Sequence, residues 1–296
     1  MNAINQPPVV LFAYARPAHL VRTLAALREN RVPRVLAFAD GARSADDAAA
    51  VAEVRRLLRE IDWCDVQLTE RPVNMGLGRN VLAGVTEVAA CHEAFLVWED
   101  DLVCVPGTYE WLAAALKYYA ADERVMSVTG WTHPRVTPAD VGTHPWFDGR
   151  AECWVWGAWA RSWRGMEEET ALVKLAAAAR GGIASDAYGR DLPVMAAAES
   201  RQNTWAVRWL YHHLQHRGLC VRPPWSMVEH IGFDVTATNA GSATAWANPP
   251  LRAAPMPPAV WPEPVEHPRA RARWRAAYAG GWRGLWRRLQ QKCNFR

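Results

Sequence analysis

The first 130 residues alternate short apolar segments with amphipathic ones, and this order constrains the fold more than any other feature of the chain. The apolar segments favour strands, at residues 9–14, 35–39, 66–69, 94–98 and 125–129. The segments between them have helical spacing, at residues 17–30, 45–61, 76–90 and 109–119. This β-α-β order predicts an α/β fold with a mostly parallel sheet flanked by helices.

The regularity ends after Gly130. Residues 131–150 are rich in Pro, Gly, Thr and His, which indicates a long functional loop. Further on we expect helical segments, a strand and an irregular stretch, at residues 172–180, 191–216, 219–222 and 237–268. The chain therefore divides into a regular half (1–130), an irregular half (131–265) and a tail (266–296).

Composition narrows the class of protein. With 296 residues that are 50% hydrophobic, the chain can bury a full core. It has no run of about 18 apolar residues that would span a bilayer, and residues 1–8 lack the features of a secretory signal. Its six cysteines form no Cys-x-x-Cys pair. We expect reduced thiols and a cytoplasmic protein, peripheral to the membrane if the tail binds it.

The tail is strongly basic. Residues 267–296 carry nine Lys and Arg and no acidic residue, and removing these nine from the net charge of +4 leaves −5. The body therefore gives no reason to expect a nucleic-acid partner. Trp282, Leu285, Trp286 and Leu289 share one helical face among basic residues, a pattern typical of helices on a membrane surface. The alternative is a terminal helix packed on the body.

The acidic triplet Glu99-Asp100-Asp101 is the sharpest chemical feature, because it directly follows an apolar strand. In parallel sheets, ligands bind beyond the carboxyl ends of the strands. Three carboxylates there repel one another unless a cation joins them, and Mn²⁺ or Mg²⁺ would also bridge a diphosphate. A solvated turn is the alternative.

Other signals fall at the same edge of the predicted sheet. Arg16 follows the first strand, and Asp40-Gly41 follows the second. Residues 72–80 form a glycine-containing loop before a helix, where backbone N–H groups and Arg79 could hold an anion. The pair Gly76-x-Gly78 alone is also typical of an ordinary strand-to-helix turn.

Seven segments, in order over about residues 9–240, resemble the GT-A glycosyltransferases. They are FAYARP at 12–17, ADG at 39–41, NMGLGRN at 74–80, WEDDL at 98–102, CWVWGAW at 153–159, TWAVRW at 204–209 and EHIGFD at 229–234. The chain is similar to bacterial family 2-type sugar transferases, and also to the animal N-acetylglucosaminyltransferase that starts complex N-glycans. The resemblance implies a Rossmann-like GT-A fold, with a nucleotide-sugar half at 1–130 and an acceptor half at 131–265.

The resemblance also implies roles at the acidic triplet. Asp101 matches the last acid of the D-x-D type motif and would bind the metal. Asp100 would face the ribose or sugar of the donor, and Glu99 would support it. His230, in an H-x-G element with Gly232, would be a further metal ligand, and neutral imidazole suits Mn²⁺.

Around the triplet, further residues match the donor pocket. Asp40 matches the acid that contacts the nucleotide base, and Arg79 a basic residue near the base and phosphates. The other matching positions are Ala13, Tyr14, Arg16, Asn74 and Gly76. Trp156, with Trp154 and Trp159, matches a segment that walls the donor and acceptor sites, although these three could instead form a hydrophobic plug.

The general base is where the chain departs from the family. The N-acetylglucosaminyltransferase carries its base in Trp-Asp-Asp-Trp, whereas this chain has Ala-Val-Arg-Trp at 206–209. Arg208 stays protonated and cannot act as a base, though it could bind a phosphate or an acidic acceptor. The candidate bases are Glu199, Asp191, Asp186 and Asp234, with Glu199 favoured because it lies just ahead of the Trp205 helix.

The resemblance therefore implies a hexosyl- or N-acetylhexosaminyltransferase. Its donor would be a nucleoside diphosphate sugar with Mn²⁺ or Mg²⁺, and its acceptor a saccharide or lipid-linked saccharide, as in polysaccharide biosynthesis. Transfer would be inverting. One alternative is a sugar nucleotidyltransferase, but residues 12–17 lack a glycine- and lysine-rich phosphate loop. The other is a glycan-binding or scaffold protein without activity, an alternative that Arg208 keeps open.

Overall fold

A computed structural model of the chain describes residues 6–232, 246 and 248–279. The strands are β1 Val9–Ala13, β2 Arg34–Ala39, β3 Asp65–Glu70, β4 Ala94–Glu99, β5 Leu102–Cys104, β6 Val125–Thr129, β7 Trp146–Asp148, β8 Trp156–Trp159, β9 Leu219–Arg222 and β10 Val228–His230. The helices are α1 Pro17–Glu29, α2 Ala45–Arg59, α3 Leu77–Ala89, α4 Thr108–Tyr118, α5 Ala160–Trp163, α6 Ala171–Arg180, α7 Leu192–Gln202, α8 Ala206–Gln215 and α9 Ala270–Ala277.

The central sheet has eight strands in the order β3-β2-β1-β4-β8-β6-β9-β7. Strands β3, β2, β1 and β4 are parallel neighbours. Strand β8 runs antiparallel between β4 and β6, and β7 runs antiparallel at the edge beside β9. The α/β fold predicted from the sequence, with a mainly parallel sheet flanked by helices, is confirmed.

Both faces of the sheet are buried. Along β1, Val9 and Leu11 belong to one apolar cluster, with α1, α2 and α4, whereas Val10 and Phe12 belong to the other, with α3 and α8. Continuous burial of β1, β2 and β4 explains why these segments are apolar throughout, as parallel strands covered on both faces are.

The second half differs in detail from the sequence prediction. The helix predicted over 191–216 is two helices, α7 and α8, separated by Asn203 in the left-handed region at φ 48°. Asparagine tolerates this conformation, which ends α7. The loop predicted over 131–150 contains β7, and the short strands β5, β8 and β10 were not predicted either.

The described part of the basic tail packs on the body. Trp274 of α9 is 1% exposed, and its indole N–H donates to Asp148 Oδ2 at 2.7 Å. The predicted amphipathic face, Trp282 to Leu289, lies outside the described residues. Among the helices that the structure describes, none is long and apolar enough to cross a membrane.

Candidate functional site

The candidate site lies where the connections of the sheet change direction. From β1 the chain proceeds outward through β2 and β3, and then returns to place β4 on the opposite side of β1. The crevice between the carboxyl ends of β1 and β4 is therefore a topological switch point, where open α/β sheets bind their ligands. Arg16 follows β1 and the acidic triplet ends β4, so the sequence motifs converge at this crevice.

Arg16 bridges the two aspartates of the triplet. Its Nη2 lies 3.1 Å from Asp100 Oδ1, and its Nη1 lies 2.8 Å from Asp101 Oδ2. The other oxygen of Asp100 accepts the backbone N–H of Tyr14 at 3.0 Å. A planar guanidinium thus serves two buried carboxylates at once, a geometry for which its forked donors are suited.

Asp101 keeps one carboxylate oxygen without a partner. Its Oδ1 is buried and accepts no hydrogen bond, although the residue is only 4% exposed. The opposite oxygen is closely covered, because a Cβ added at Gly232 would lie 2.2 Å from Asp101 Oδ2. A buried acceptor without a partner is costly and rare, and it marks a position that a ligand can complete.

Burial disfavours the ionised forms of Glu99 and Asp100 in the triplet. Burial raises the pKa of Glu99 to about 8, with the charges of Asp101 and Asp100 acting in the same direction. Burial also raises the pKa of Asp100 to about 6, although the positive charge of Arg16 opposes this. An added cation would relieve both effects, since it favours the ionised carboxylates.

A small second sheet brings His230 to the triplet. Strand β10 pairs antiparallel with β5, with His230 opposite Leu102, and the backbone N–H of Ile231 donates to the carbonyl oxygen of Asp101 at 2.9 Å. Nε2 of His230 lies 3.8 Å from Asp101 Oδ2. Burial lowers the pKa of His230, which favours the neutral ring that the sequence analysis anticipated.

The tautomer of His230 bears on its predicted role as a metal ligand. The backbone N–H of Gly232 donates to Nδ1 at 3.1 Å, so in the neutral ring the proton lies on Nε2. Nε2 then carries the proton and has no lone pair to offer a metal ion. Ligation by Nε2 requires the contact with Gly232 to break.

The side chains at the switch point decide whether the site could hold a divalent ion. Within the described residues, no three His, Cys, Asp or Glu side chains form a group arranged to hold a metal. The carboxylates of Asp100 and Asp101 fit a hard cation, and the unpartnered Oδ1 of Asp101 is available to one. Mg²⁺-type sites take one or two carboxylates and complete their shell with phosphate and water, so this pair suffices.

Asp40 organises the glycine-containing loop. Its Oδ1 accepts the backbone N–H groups of Gly41 and Met75 at 2.9 and 2.8 Å, and its Oδ2 accepts that of Gly76 at 2.9 Å. The side chain of Asn74 donates to the carbonyl oxygen of Gly41 at 2.8 Å. The structure therefore brings together Asp40, Asn74 and Gly76, which were predicted to line the pocket for the nucleotide sugar. The Asp40 carboxylate is directed at the loop.

The other residues predicted to line the nucleotide-sugar pocket lie around this loop and at the end of β1. Ala13 ends β1 and pairs with Ala39 in the sheet. The Tyr14 hydroxyl donates to Asp47, and the Arg43 guanidinium lies 5.8 Å from the centre of the Tyr14 ring. Arg79, in the first turn of α3, is exposed.

Sequence reasoning missed Asn203, which joins the second half to this loop. The backbone carbonyl of Asn203 accepts the N–H of Gly78 at 3.1 Å, and its Nδ2 donates to the carbonyl oxygen of Met75 at 3.2 Å. A Cβ at Gly76 would lie 2.2 Å from Asn203 Nδ2, so the glycine is required by this close approach. No local sequence pattern indicates a contact over such a distance along the chain.

The tryptophans of residues 154–159 separate onto two faces. Val155 has φ 47°, which is rare for a β-branched residue and reverses the usual alternation of a strand. Trp154 therefore lies beside His230, with ring centres 4.5 Å apart, while Trp156 enters the opposite core among Phe95 and Trp209. Trp156 is fully buried, so its indole presents no face on which a donor could stack, and Trp154 is the tryptophan at the site.

Most of the candidate bases are engaged in ion pairs. Glu199 is 6% exposed, its Oε1 accepts Arg208 Nε at 2.6 Å and its Oε2 accepts the backbone N–H of Ala171 at 2.8 Å. Asp191 pairs with Arg150 at 3.1 Å, and Asp186 with Arg275 at 2.9 Å. Arg208 is accordingly a partner of Glu199. Asp234 lies outside the described residues.

Comparisons with protein families and with curated proteins find no match. Among solved structures, the chain is similar to the mannosyltransferase PcManGT from Pyrobaculum calidifontis, in complex with GDP-Man and Mn²⁺. The identity is 17% and the TM-score 0.38, over 55% of this chain and 46% of that one. It is also similar to HddC from Yersinia pseudotuberculosis, with 13% identity and a TM-score of 0.32, over 52% of this chain and 77% of that one. The chain thus spans less than half the length of the mannosyltransferase.

Proposed function

We propose that this chain is a glycosyltransferase that uses a nucleoside diphosphate sugar and a divalent ion. The observation that carries the proposal is the pair of buried aspartates at the switch point, of which Asp101 keeps an unpartnered oxygen. Such a pair provides what a metal-bridged diphosphate requires. In the loop at 74–80 the backbone N–H groups of Met75 and Gly76 already donate to Asp40. The anion-binding group that the loop would add at the same edge is therefore the exposed Arg79.

In the proposed reaction an acceptor hydroxyl loses its proton to a base as its oxygen attacks the anomeric carbon. The bond between that carbon and the diphosphate oxygen breaks, and the nucleoside diphosphate leaves with inversion. When bound, Mn²⁺ or Mg²⁺ would neutralise charge on the leaving diphosphate. Asp100 and Asp101 would hold it.

For the base we propose Asp234, since the other candidates are paired with arginines. Asp234 follows Gly232 by two residues, and Gly232 abuts Asp101. The test is Asp234→Asn beside Glu199→Gln. We expect the first to reduce kcat by about 10²-fold or more and the second to change mainly stability. The reverse result would return the role to Glu199.

The acceptor is proposed to be a saccharide or a lipid-linked saccharide that stacks on Trp154. This indole is half-buried beside His230, and Trp246 and Tyr278 continue the aromatic surface around Trp131. Sugar C–H faces pack well on such rings. Trp154→Ala should raise the acceptor KM more than it lowers the donor affinity.

The decisive experiment is a panel of nucleotide sugars, followed by release of nucleoside diphosphate with and without Mn²⁺. Asp101→Asn is the test variant, and Asp65→Asn, on the exposed start of β3, is the matched control. Metal-dependent release from one donor, lost only in the first variant, supports the proposal. Binding of a donor without release would favour a glycan-binding protein, and release of pyrophosphate from a nucleoside triphosphate would favour a nucleotidyltransferase.

We further propose that the protein acts in the cytoplasm, at the membrane surface. The support is the basic, tryptophan-containing pattern at residues 282–292. Flotation with anionic vesicles tests this, when the full chain is compared with one ending at Ala279. Equal flotation of the two would refute a membrane role for the tail.

A further inference from the structure

The cation position at the switch point already has an occupant from the chain itself. The Arg16 guanidinium lies 3.1 Å from one aspartate and 2.8 Å from the next, and both carboxylates are almost fully buried. A divalent ion shared by Asp100 and Asp101 would require the same two oxygens or their immediate surroundings. Two cations cannot both take close contact with one buried carboxylate pair without strong repulsion.

We propose that Arg16 is an internal counterion of the metal site, which a divalent ion must displace from Asp100 and Asp101 in order to bind. The inference rests on the proposed function only in that it assumes a divalent ion at this edge of the sheet. The resemblance implies that Arg16 contacts the nucleotide sugar. The inference adds that, before a metal ion binds, Arg16 is paired with Asp100 and Asp101.

The charge balance of the site depends on Arg16. Asp100 and Asp101 are 3% and 4% exposed, and such carboxylates are unfavourable without a compensating positive charge. Arg16 supplies that charge through direct contacts with both, whereas His230 is neutral and lies 3.8 Å from Asp101. The protein therefore holds the aspartates in place before any ion arrives.

Arg16 is more exposed to solvent than the two aspartates that it contacts. The Arg16 side chain is 22% exposed, whereas the side chains of Asp100 and Asp101 are 4% and 6% exposed. The guanidinium can therefore leave along its solvent side while the aspartates remain fixed. Asp100 is anchored by the Tyr14 N–H, and its carbonyl oxygen accepts Thr23 Oγ1 at 2.9 Å.

Asp101 has one carboxylate oxygen that Arg16 does not contact. Arg16 satisfies Oδ2 of Asp101 and leaves Oδ1 buried without a hydrogen bond. The guanidinium thus leaves part of the Asp101 carboxylate without a partner. We expect this of a counterion that a metal ion replaces. An ion bound to Asp101 after Arg16 has left would have both Oδ1 and Oδ2 as ligands.

The test is a titration with Mn²⁺ alone, followed by the electron paramagnetic resonance signal of the free ion. Arg16→Ala is expected to bind Mn²⁺ about tenfold more tightly than wild type, because a charge-assisted contact has to be broken only in wild type. Without metal, the same variant should melt at a lower temperature, and Mn²⁺ should raise its Tm more than that of wild type.

Arg34→Ala is the matched control, since Arg34 forms an exposed ion pair with Asp65 at the opposite end of the sheet. It should leave Mn²⁺ affinity unchanged. Should Arg16→Ala fail to fold, Arg16→Lys replaces it, because one ammonium cannot bridge both carboxylates as a fork does. We expect Arg16→Lys to bind Mn²⁺ about threefold more tightly than wild type, because the lysine would contact Asp100 and Asp101 more weakly than arginine does.

Equal or weaker Mn²⁺ binding by the Arg16 variants would overturn the inference, and so would a lack of Mn²⁺ binding in every protein. Neither result decides the proposed function, because no donor is present in this titration. Turnover in the nucleotide-sugar panel decides that separately.

Discussion

Two buried arginine–aspartate clusters lie in the two halves of the molecule, and they differ in how completely they are satisfied. In the second half, Asp148 Oδ2 accepts hydrogen bonds from Arg222 Nε and from the Trp274 indole N–H, both at 2.7 Å, and its Oδ1 accepts the backbone N–H of Arg150 at 3.2 Å. In the first half, Asp101 has one oxygen on Arg16 and one with no partner. The saturated cluster around Asp148 has a partner on both oxygens, whereas the unsaturated cluster around Asp101 has one acceptor oxygen that a ligand could complete.

The same contrast applies to the arginines. Arg222 is fully buried and also donates to the carbonyl oxygens of Trp131 and Arg150, at 3.3 and 2.7 Å. Arg16 keeps part of its side chain in solvent. Burial of a charge alone therefore does not identify a functional site, and an unpartnered oxygen alone does not either, since Asp191 Oδ1 also has no partner. What distinguishes Asp101 is that its unpartnered oxygen lies at the switch point of the sheet.

The largest effect is expected on breaking the saturated cluster. Asp148→Ala leaves the buried Arg222 with only its longer contact to Glu152, at 3.4 Å, which should lower the free energy of unfolding by about 3–5 kcal/mol. Urea denaturation at neutral pH measures this. The control is Asp122→Ala, whose exposed pair with Arg124 should cost at most about 1 kcal/mol. Similar losses in the free energy of unfolding for the two variants would show that the Asp148 cluster is not needed to hold the fold.

Asp101→Asn should separate stability from function. We expect donor turnover to fall by about 10²-fold, the equivalent of about 2.7 kcal/mol, because the charge that would hold the ion is removed. The free energy of unfolding should change by less than about 1 kcal/mol, because Arg16 keeps its contact with Asp100 and part of its side chain is in solvent. Calorimetry beside the turnover assay checks both. A large loss of stability would place Asp101 with Asp148 as a structural residue.

Gly232→Ala tests the close packing beside the unsaturated cluster. The new Cβ would lie 2.2 Å from Asp101 Oδ2 and 2.9 Å from Arg16 Nη1, so the carboxylate has to shift. Overpacking of this kind should cost about 1–3 kcal/mol of stability and weaken Mn²⁺ binding. Gly142→Ala is the control for adding a side chain in open space, although its positive φ of 59° brings a small cost of its own. Wild-type Mn²⁺ affinity in Gly232→Ala would show that the packing is not needed.

The smallest effect is a pH dependence of the metal-free protein. The folded-state pKa of Glu99 is raised from its ordinary 4.5 to about 8, so the folded state binds a proton that the unfolded state has lost between these values. Its contribution to stability is present below about pH 4.5 and is lost as pH rises toward 8. The Tm should fall by about a few degrees over this range.

Glu99→Gln is the variant that checks this pH dependence. It should flatten the Tm profile, and saturating Mn²⁺ should flatten that of wild type. An unchanged slope in the variant would assign the dependence to other groups.

Local patterns predicted the regular half well, because there each strand and helix is determined by its own apolar spacing. The segment 94–98 predicted β4, and the triplet that follows it was correctly placed at the carboxyl edge of the sheet. Parallel strands are buried on both faces, so their apolar runs are clear in the sequence.

The rest of the site depends on contacts that sequence patterns do not carry. Trp154 and Trp156 appear equivalent in the sequence, and only the left-handed Val155 sends them to opposite faces. Glu199 was favoured as a base from its position before a helix, but its pairing with Arg208 arises from the packing of α7 and α8. Short strands such as β10 gain their stability from a partner strand rather than from their own residues.

The contact of Asn203 with the glycine loop also affects the order in which the protein can fold. Asn203 and Met75 are 128 residues apart in the chain, so their contact closes a very long loop and belongs among the slow, non-local steps. During synthesis, the first half can form its strands before Asn203 has been made, but the Gly76–Gly78 turn lacks its support until α7 and α8 are in place. The glycine-containing loop is therefore completed late, and a truncated product of the first half would lack strands β7, β8 and β9 of the sheet as well as the contact with Asn203.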